Sequence, residues 1–451
     1  MIAAAFGDWS DWRGAADLLL LRDYNTRVVV LGATLLGLTA GVVGSFTLLR
    51  KRALLGDALA HATLPGIAIA FLAASALGAD GKSLPLLLAG AAATGVLGVG
   101  AILAIRRFTR LKEDAALGIV LSVFFGAGAA LLGVVQQTPT GHAAGLESFI
   151  YGKTAAMLSS DAWLIAGAAV ACLALSALCF KELMLLCFDA GFASARGFSA
   201  GWLDTLLMGM VVLVTIIGLQ AVGLVLMIAL LVIPPAAARF WTDRLLAMTL
   251  LAGAIGAASA FAGAVASAAA PKLPSGAMIV LCAASLFLFS ALLGSRRGLI
   301  VRYRRRRRFL QRIAREHLLR AVYEATESAD SATFARLLEM RSWGAAELRQ
   351  LIRRARHKEL VQRGPAAEVR LTSRGLLEAQ RLTRQHRLWE MYLITHADVA
   401  PSRVDRGADA IEHVLDPETI DELERLLDQR RLGLPPESPH AIDPAPEEAP
   451  R

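Results

Sequence analysis

The chain has 451 residues, 55% of them hydrophobic and only 19% charged, with a formal net charge of +9. Its mean hydropathy is +0.52, and its apolar content exceeds the roughly 45–50% of ordinary soluble domains. That excludes a purely soluble protein. About 30 of the 47 Lys and Arg fall after position 295, so apolar and basic residues belong to different parts of the chain.

In chain order, Met1 to Phe6 is too short an apolar run for a secretory signal, and Asp8, Asp11, Arg13 and Asp17 break up the next stretch. A first span near Val28 is therefore expected to direct insertion. Crossing a hydrocarbon core of about 30 Å takes about 20 apolar residues. Such runs lie near 28–49, 57–78, 84–105, 115–135, 162–180, 202–219, 222–238, 245–269 and 276–294. Nine spans are expected, within a range of eight to ten, and the division around Gly218–Gly223 is the least distinct. Abundant Gly and Ala suit close helix packing in lipid. The Lys and Arg of short loops mark the cytoplasmic side. Arg50-Lys51-Arg52, Arg106-Arg107, Lys181 with Arg196, Arg239 with Arg244, and Arg296-Arg297 occupy alternate loops. The opposite loops, 79–83, 136–160 and 270–275, hold only three lysines. The C-terminal part is thus expected in the cytoplasm and the first 27 residues outside.

Within Gly56-Asp57-Ala58-Leu59-Ala60-His61 an acid and an imidazole stand four residues apart. On a helix they share a face, and ionisable groups inside spans are expensive and usually functional. Carboxylate plus imidazole suits Mn(II), Fe(II) or Zn(II); the same pair also serves as a hydrogen bond knitting two helices together. Phe188-Asp189 through Arg196-Gly197 is a short amphipathic cytoplasmic stretch, either a docking element or an ordinary surface helix. The extracytoplasmic segment 136–160, with His142 and Glu147, is long enough to receive a delivery protein. Cys172, Cys179, Cys187 and Cys282 have no C-x-x-C spacing and read as core residues.

Leu54-Leu55-Gly56-Asp57-Ala58-Leu59-Ala60-His61-Ala62-Thr63-Leu64-Pro65-Gly66 resembles the signature of manganese/zinc/iron-class ABC importer permeases. Leu185 to Gly197 is similar to that family's coupling loop. Leu219 to Arg239 and Pro274-Ser275-Gly276-Ala277 resemble its later signatures, in the family's order, over residues 25–295. The resemblance implies a dimer or pseudo-dimer of permease subunits, a separate cytoplasmic ATPase and an extracytoplasmic solute-binding protein. It implies Asp57 and His61 as ligands of the transported ion. It also implies Phe188, Asp189, Ala193, Arg196 and Gly197 as residues that engage the ATPase. No G-x-x-x-x-G-K-[ST] pattern occurs, so ATP hydrolysis is assigned to another chain and this one is not an enzyme.

After the last span, Arg302, Arg304 to Arg308, Arg312 and Arg315 form a juxtamembrane basic cluster. Helical periodicity at Leu318, Leu319, Val322 and Tyr323 is followed by helices over 332–341 and 345–358, a strand at 368–371 and a longer helix from Ser373. Helix, helix, basic helix and wing is the plan of a winged helix-turn-helix. Arg349, Arg353, Arg354, Arg356 and Lys358 on its third helix are the candidate DNA contacts; a solvated charged face or a protein-contact module fits the same pattern. Further on, His386 and Glu390 stand four apart, and Asp405, Asp409, Glu412 and His413 fall on one expected helix. These are ligands for one or two transition-metal sites or a set of surface ion pairs. Leu371-Thr372-Ser373-Arg374-Gly375, the His386 segment and Ile411-Glu412-His413-Val414-Leu415 resemble the iron- and manganese-dependent repressors over about 312–430. That resemblance implies a cytosolic divalent-metal sensor at His386, Glu390, Asp409, Glu412 and His413, with His317 linking the two halves of the domain. Asp405 stands where some members have histidine, and Arg320 where manganese-sensing members have a carboxylate.

The expected architecture is an all-α polytopic membrane bundle plus an α(+β) winged helix and a helical metal-binding and dimerisation domain. Its divisions are an N-terminal segment 1–27, permease 28–295, basic linker 296–312, winged helix 313–375, sensor helices 376–431 and a Pro- and Glu-rich tail 432–451. The expected function is the inner-membrane permease of an ATP-driven Mn, Fe or Zn importer with a fused metal-responsive repressor domain that binds operator DNA. Two other readings stay open: a winged domain serving only dimerisation or ATPase docking, and a proton-coupled transporter.

Overall fold

The computed structural model describes residues 23–52, 54–78, 83–137, 157–269, 273–327, 332–364, 368–396 and 425. Two compact units divide the chain, Met1–Arg302 and Tyr303–Arg451.

In the first unit the apolar runs become α1 (Tyr24–Leu49), α2 (Leu55–Ala76), α3 (Leu84–Phe108), α4 (Glu113–Gln136) and α5 (Ser159–Leu178). Two short helices come next, α6 (Phe180–Phe188) and α7 (Ala190–Ala195), and then α8 (Ala200–Val222), α9 (Leu224–Ala238), α10 (Leu245–Ala269) and α11 (Ser275–Leu293). Among the described residues eight helices are long and apolar enough to cross a membrane. The expected span at 222–238 is the exception in length. Gly223, at φ +84°, breaks the apolar stretch and leaves α9 only 15 residues, about 22 Å at about 1.5 Å per residue. Gly meets that backbone conformation without steric cost. The alternation of basic loops still requires α9 to return the chain to the cytoplasmic face. Pro234 and Pro235 sit within it, where neighbouring helices of a bundle can compensate the lost backbone bonds.

Helix α1 is the hub, packed by α10, α9, α5 and α8, while α2 packs against α3, α4 and α8. Lipid tails are as apolar as leucine, so contact between spans depends on close backbone approach rather than on water exclusion. At the α1–α10 crossing, a Cβ on Gly256 would lie 2.1 Å from the Gly37 carbonyl oxygen. Only glycine fits there.

The second unit takes α12 (Leu299–Glu327) from Tyr303 onward, then α13 (Phe334–Met340), α14 (Ala345–His357), β1 (Val361–Arg363), β2 (Val369–Leu371) and α15 (Ser373–His396). The two strands pair antiparallel, Val361 opposite Leu371 and Arg363 opposite Val369. Leu318, Leu319, Val322, Leu337, Leu348, Leu351, Val361 and Val369 form its separate core. The order helix, helix, helix, hairpin is the winged-helix plan.

Gly256→Leu is expected to force α1 and α10 apart at a cost of about 1–3 kcal/mol. A thermal melt of the detergent-solubilised protein should show a lowered midpoint; an unchanged midpoint would mean the crossing tolerates a side chain.

Candidate functional site

Asp57 occupies the first turn of α2, and His61 stands one turn later. Asp57 Oδ1 and His61 Nε2 are 3.3 Å apart, with side chains 28% and 19% exposed. Ligands bound at about 2.1 Å to a tetrahedral or octahedral ion lie roughly 3.0–3.4 Å apart, a range that includes this distance and that of an ordinary Asp–His ion pair. His61 packs edge-on against Phe125 of α4, with ring centroids 4.9 Å apart. Its Nδ1 is buried and meets no hydrogen-bond partner among the described residues. No group of three or more His, Cys, Asp or Glu able to hold a metal occurs among them. Among the described residues the pair thus has no third His, Cys, Asp or Glu grouped with it.

A second cluster, which sequence pattern did not single out, lies where α8 begins. Asp204 is 5% exposed, and Arg52, 1% exposed, grips it through two parallel bonds of 2.9 and 3.0 Å. Arg50 donates to both carboxylate oxygens at 3.0 and 3.2 Å, and Arg106 approaches to 3.5 Å. Arg50 also donates to the Leu186 carbonyl of α6 at 3.0 Å. Planar guanidinium forks match a carboxylate in two-point geometry. The signal was present: Asp204 is an acid inside an apolar run.

That anchor positions the α6–α7 segment. Leu183 and Leu186 are buried beneath α6. Asp189 caps α7 by accepting from the Phe192 N–H at 2.8 Å, supplying a partner for an otherwise unsatisfied donor. Ala193 is buried, whereas Phe188, Phe192 and Phe198 are exposed. Arg196 lies over the Phe192 ring, 5.8 Å from its centroid, and Gly197 turns the chain at φ +88°. The result is an aromatic surface on a short, capped helix. Burial pushes the Cys187 thiol up to about 12, so it stays protonated as a core residue should.

In the second unit α14 buries Leu348, Leu351 and Ala355 and leaves Arg349, Arg353, Arg356 and Lys358 exposed, with Arg354 half-buried. Arg349, Arg353 and Arg356 share a hollow with Gln362 and Arg363 of the wing. Arg354 and Lys358 line another with Arg308, Arg312 and Arg315 of α12. The helix is thus basic on both flanks.

Of the expected sensor residues, His317, His386 and Glu390 are described, whereas Asp405, Asp409, Glu412 and His413 lie outside the described residues. So do His142, Glu147, most of segment 1–27 and the tail. His386 and Glu390 are fully buried on α15, with His386 Nε2 3.2 Å from Glu390 Oε1. Arg320 of α12, 2% exposed, sits 2.5 Å from His386 Nδ1 and 3.1 Å from Glu324 Oε1. His317 Nδ1 lies 3.3 Å from Arg341.

Eight helices of spanning length among the described residues, with charge gathered at one end of the bundle, make up a multi-pass membrane protein. The chain belongs to the ABC 3 transport family, whose profile matches residues 22–294. Residues 372–441 match a second profile, the iron dependent repressor, metal binding and dimerisation domain. The chain is similar to the manganese transport system membrane protein MntC of Bacillus subtilis, 38% identical over 389 residues that cover 86% of this chain and 88% of that protein. That alignment is longer than the first unit, so the likeness continues into the second. The zinc transport system membrane protein TroC of Treponema pallidum is 44% identical over 289 residues, covering 64% of this chain and 95% of its own. Among solved structures, PsaBC from Streptococcus pneumoniae in complex with Fab matches with a TM-score of 0.54 and 31% identity, covering 62% of this chain and 97% of that one.

Asp204→Asn would leave three guanidinium groups facing a neutral side chain. Removing one partner of a buried pair costs about 3–5 kcal/mol, so the variant is expected to melt well below the parent in detergent. A melt within a degree or so of the parent would show that the arginines find their stabilisation elsewhere.

Proposed function

We propose that this chain is the permease subunit of an ATP-driven importer of Mn(II) or Zn(II), with a cytoplasmic regulatory unit at its C-terminus. The 3.3 Å pairing of Asp57 with His61 inside the bundle carries the reading, and the manganese and zinc names of its relatives support the ion class. Asp57 supplies charge and His61 a neutral nitrogen, a donor set suited to borderline divalent ions, Fe(II) included. Water or a second permease subunit completes the coordination during passage.

The α6–α7 segment is the docking element for a separate ATPase. Phe188 and Phe192 offer apolar anchors, Asp189 holds the helix end, and Arg196 with Gly197 shapes its exit. An extracytoplasmic solute-binding protein delivers the ion, and the Lys and Arg of alternate loops support a cytoplasmic position for the second unit.

The second unit is read as a DNA-contacting regulatory module. Arg349, Arg353 and Arg356 beside the wing form a phosphate-binding face, flanked by Arg354 and Lys358. Use of the same fold only for dimerisation or ATPase docking is the competing reading.

Asp57→Ala and His61→Ala should each lower uptake of radioactive Mn(II) or Zn(II) by at least the roughly 10–100-fold that outer-shell substitutions cost metal sites. Uptake at the parent rate, with equal amounts of protein in the membrane, would rule out the ligand role.

For the second unit, full-length protein in lipid nanodiscs should bind fluorescent duplex DNA with strong salt dependence. Arg353→Ala with Arg356→Ala should weaken binding and flatten the salt slope by about one for each phosphate no longer neutralised. Absence of binding by the parent protein would overturn the DNA reading in favour of docking.

A further inference from the structure

The histidine–glutamate pair on α15 has the spacing of a metal site, yet among the described residues a guanidinium occupies one of its nitrogens. A metal takes a nitrogen lone pair of neutral imidazole, and the other nitrogen normally carries a proton that it donates to an oxygen acceptor. At His386 that arrangement is reversed. The group 2.5 Å from Nδ1 is the guanidinium of Arg320, which offers donors only and never deprotonates in a protein. Nδ1 must therefore present its lone pair to Arg320, and the single ring proton resides on Nε2. Nε2 lies 3.2 Å from Glu390 Oε1, which accepts no hydrogen bond from it among the described residues. The nitrogen nearest the carboxylate is the one whose lone pair is blocked.

The charges point the same way. Arg320 is 2% exposed and lies between Glu324, at 3.1 Å, and His386. A permanent cation already sits on the α12–α15 junction, on the Nδ1 side of the ring whose Nε2 lies nearest the fully buried Glu390. A divalent ion at Nε2 would need the Nε2 proton expelled, and Arg320 has no acceptor with which to stabilise a proton on Nδ1. His317 repeats the pattern, since its Nδ1 faces the donor-only guanidinium of Arg341 at 3.3 Å.

We infer that Arg320 is the resident cation of this junction: its hydrogen bond to His386 holds the ring proton on Nε2 and keeps divalent metal out of the His386–Glu390 pair. The junction between α12 and α15 is then assembled without metal, and Arg320 acts as a positioning residue. Arg320 belongs to the same unit that is read as DNA-contacting, but DNA plays no part in its role here, so failure of either reading leaves the other standing.

The test counts Mn(II) ions bound per chain by electron paramagnetic resonance. It uses full-length protein in detergent in an Asp57→Ala, His61→Ala background, so that the transport pair does not contribute. With Arg320 in place, His386→Gln and Glu390→Gln should leave the number of bound ions unchanged. Loss of one ion per chain in either variant would overturn the inference. Arg320→Glu supplies an acceptor for a proton on Nδ1, and should add one bound ion that His386→Gln removes again. If a folded Arg320→Glu protein, verified by its thermal melt, gains no ion, Arg320 is not what excludes the metal and the inference also fails. Should Arg320→Glu not fold, the His386→Gln and Glu390→Gln counts decide alone.

Discussion

Three guanidinium groups meet one carboxylate where α8 begins, and the cytoplasmic side of the bundle is organised around that meeting. Asp204 is taken out of water together with Arg52, and Arg50 and Arg106 approach from the turn before α2 and the end of α3. Burying ions costs several kcal/mol each, recovered only when geometry and hydrogen bonding are good. The two-point grip of Arg52 on Asp204 meets that condition. The remaining reach of Arg50 to the Leu186 carbonyl carries the constraint into α6. The α6–α7 segment is thereby tied to the turn that leads into α2, the helix bearing Asp57 and His61.

The apolar interior obeys a different rule. Helices in lipid gain little from hiding hydrocarbon, so contacts such as Gly37 with Gly256 depend on backbone surfaces meeting directly. The first unit therefore combines tight, small-residue packing in its centre with one dense charge cluster at its cytoplasmic side. The second unit uses the ordinary soluble logic instead, an aliphatic core under a charged exterior.

Much of this was legible in the sequence because it depends on local pattern. Nine apolar runs were expected to span, and among the described residues eight of them are helices of spanning length; the leucine spacing and the basic third helix pointed to the winged plan. The i,i+4 placement of Asp57 and His61 implied a shared face, and the structure brings them to 3.3 Å. What was not legible depends on distance along the chain. Arg50 and Arg52 read as markers of membrane orientation, because nothing local reveals a partner about 150 residues away. Gly223 sits in a nearly continuous apolar run, so the shortening of α9 required its positive φ to be seen. At His386 the sequence offered a ligand motif and a neighbouring departure at Arg320; only coordinates show the guanidinium seated on the imidazole nitrogen.

The position of Asp57 in the opening turn of α2 has a kinetic consequence. Aligned peptide dipoles leave a partial positive charge at that end of a helix. It opposes any cation that arrives beside it. If the pair receives the ion in transit, as proposed, that field suits brief residence rather than storage, since a conducting site must release as readily as it captures.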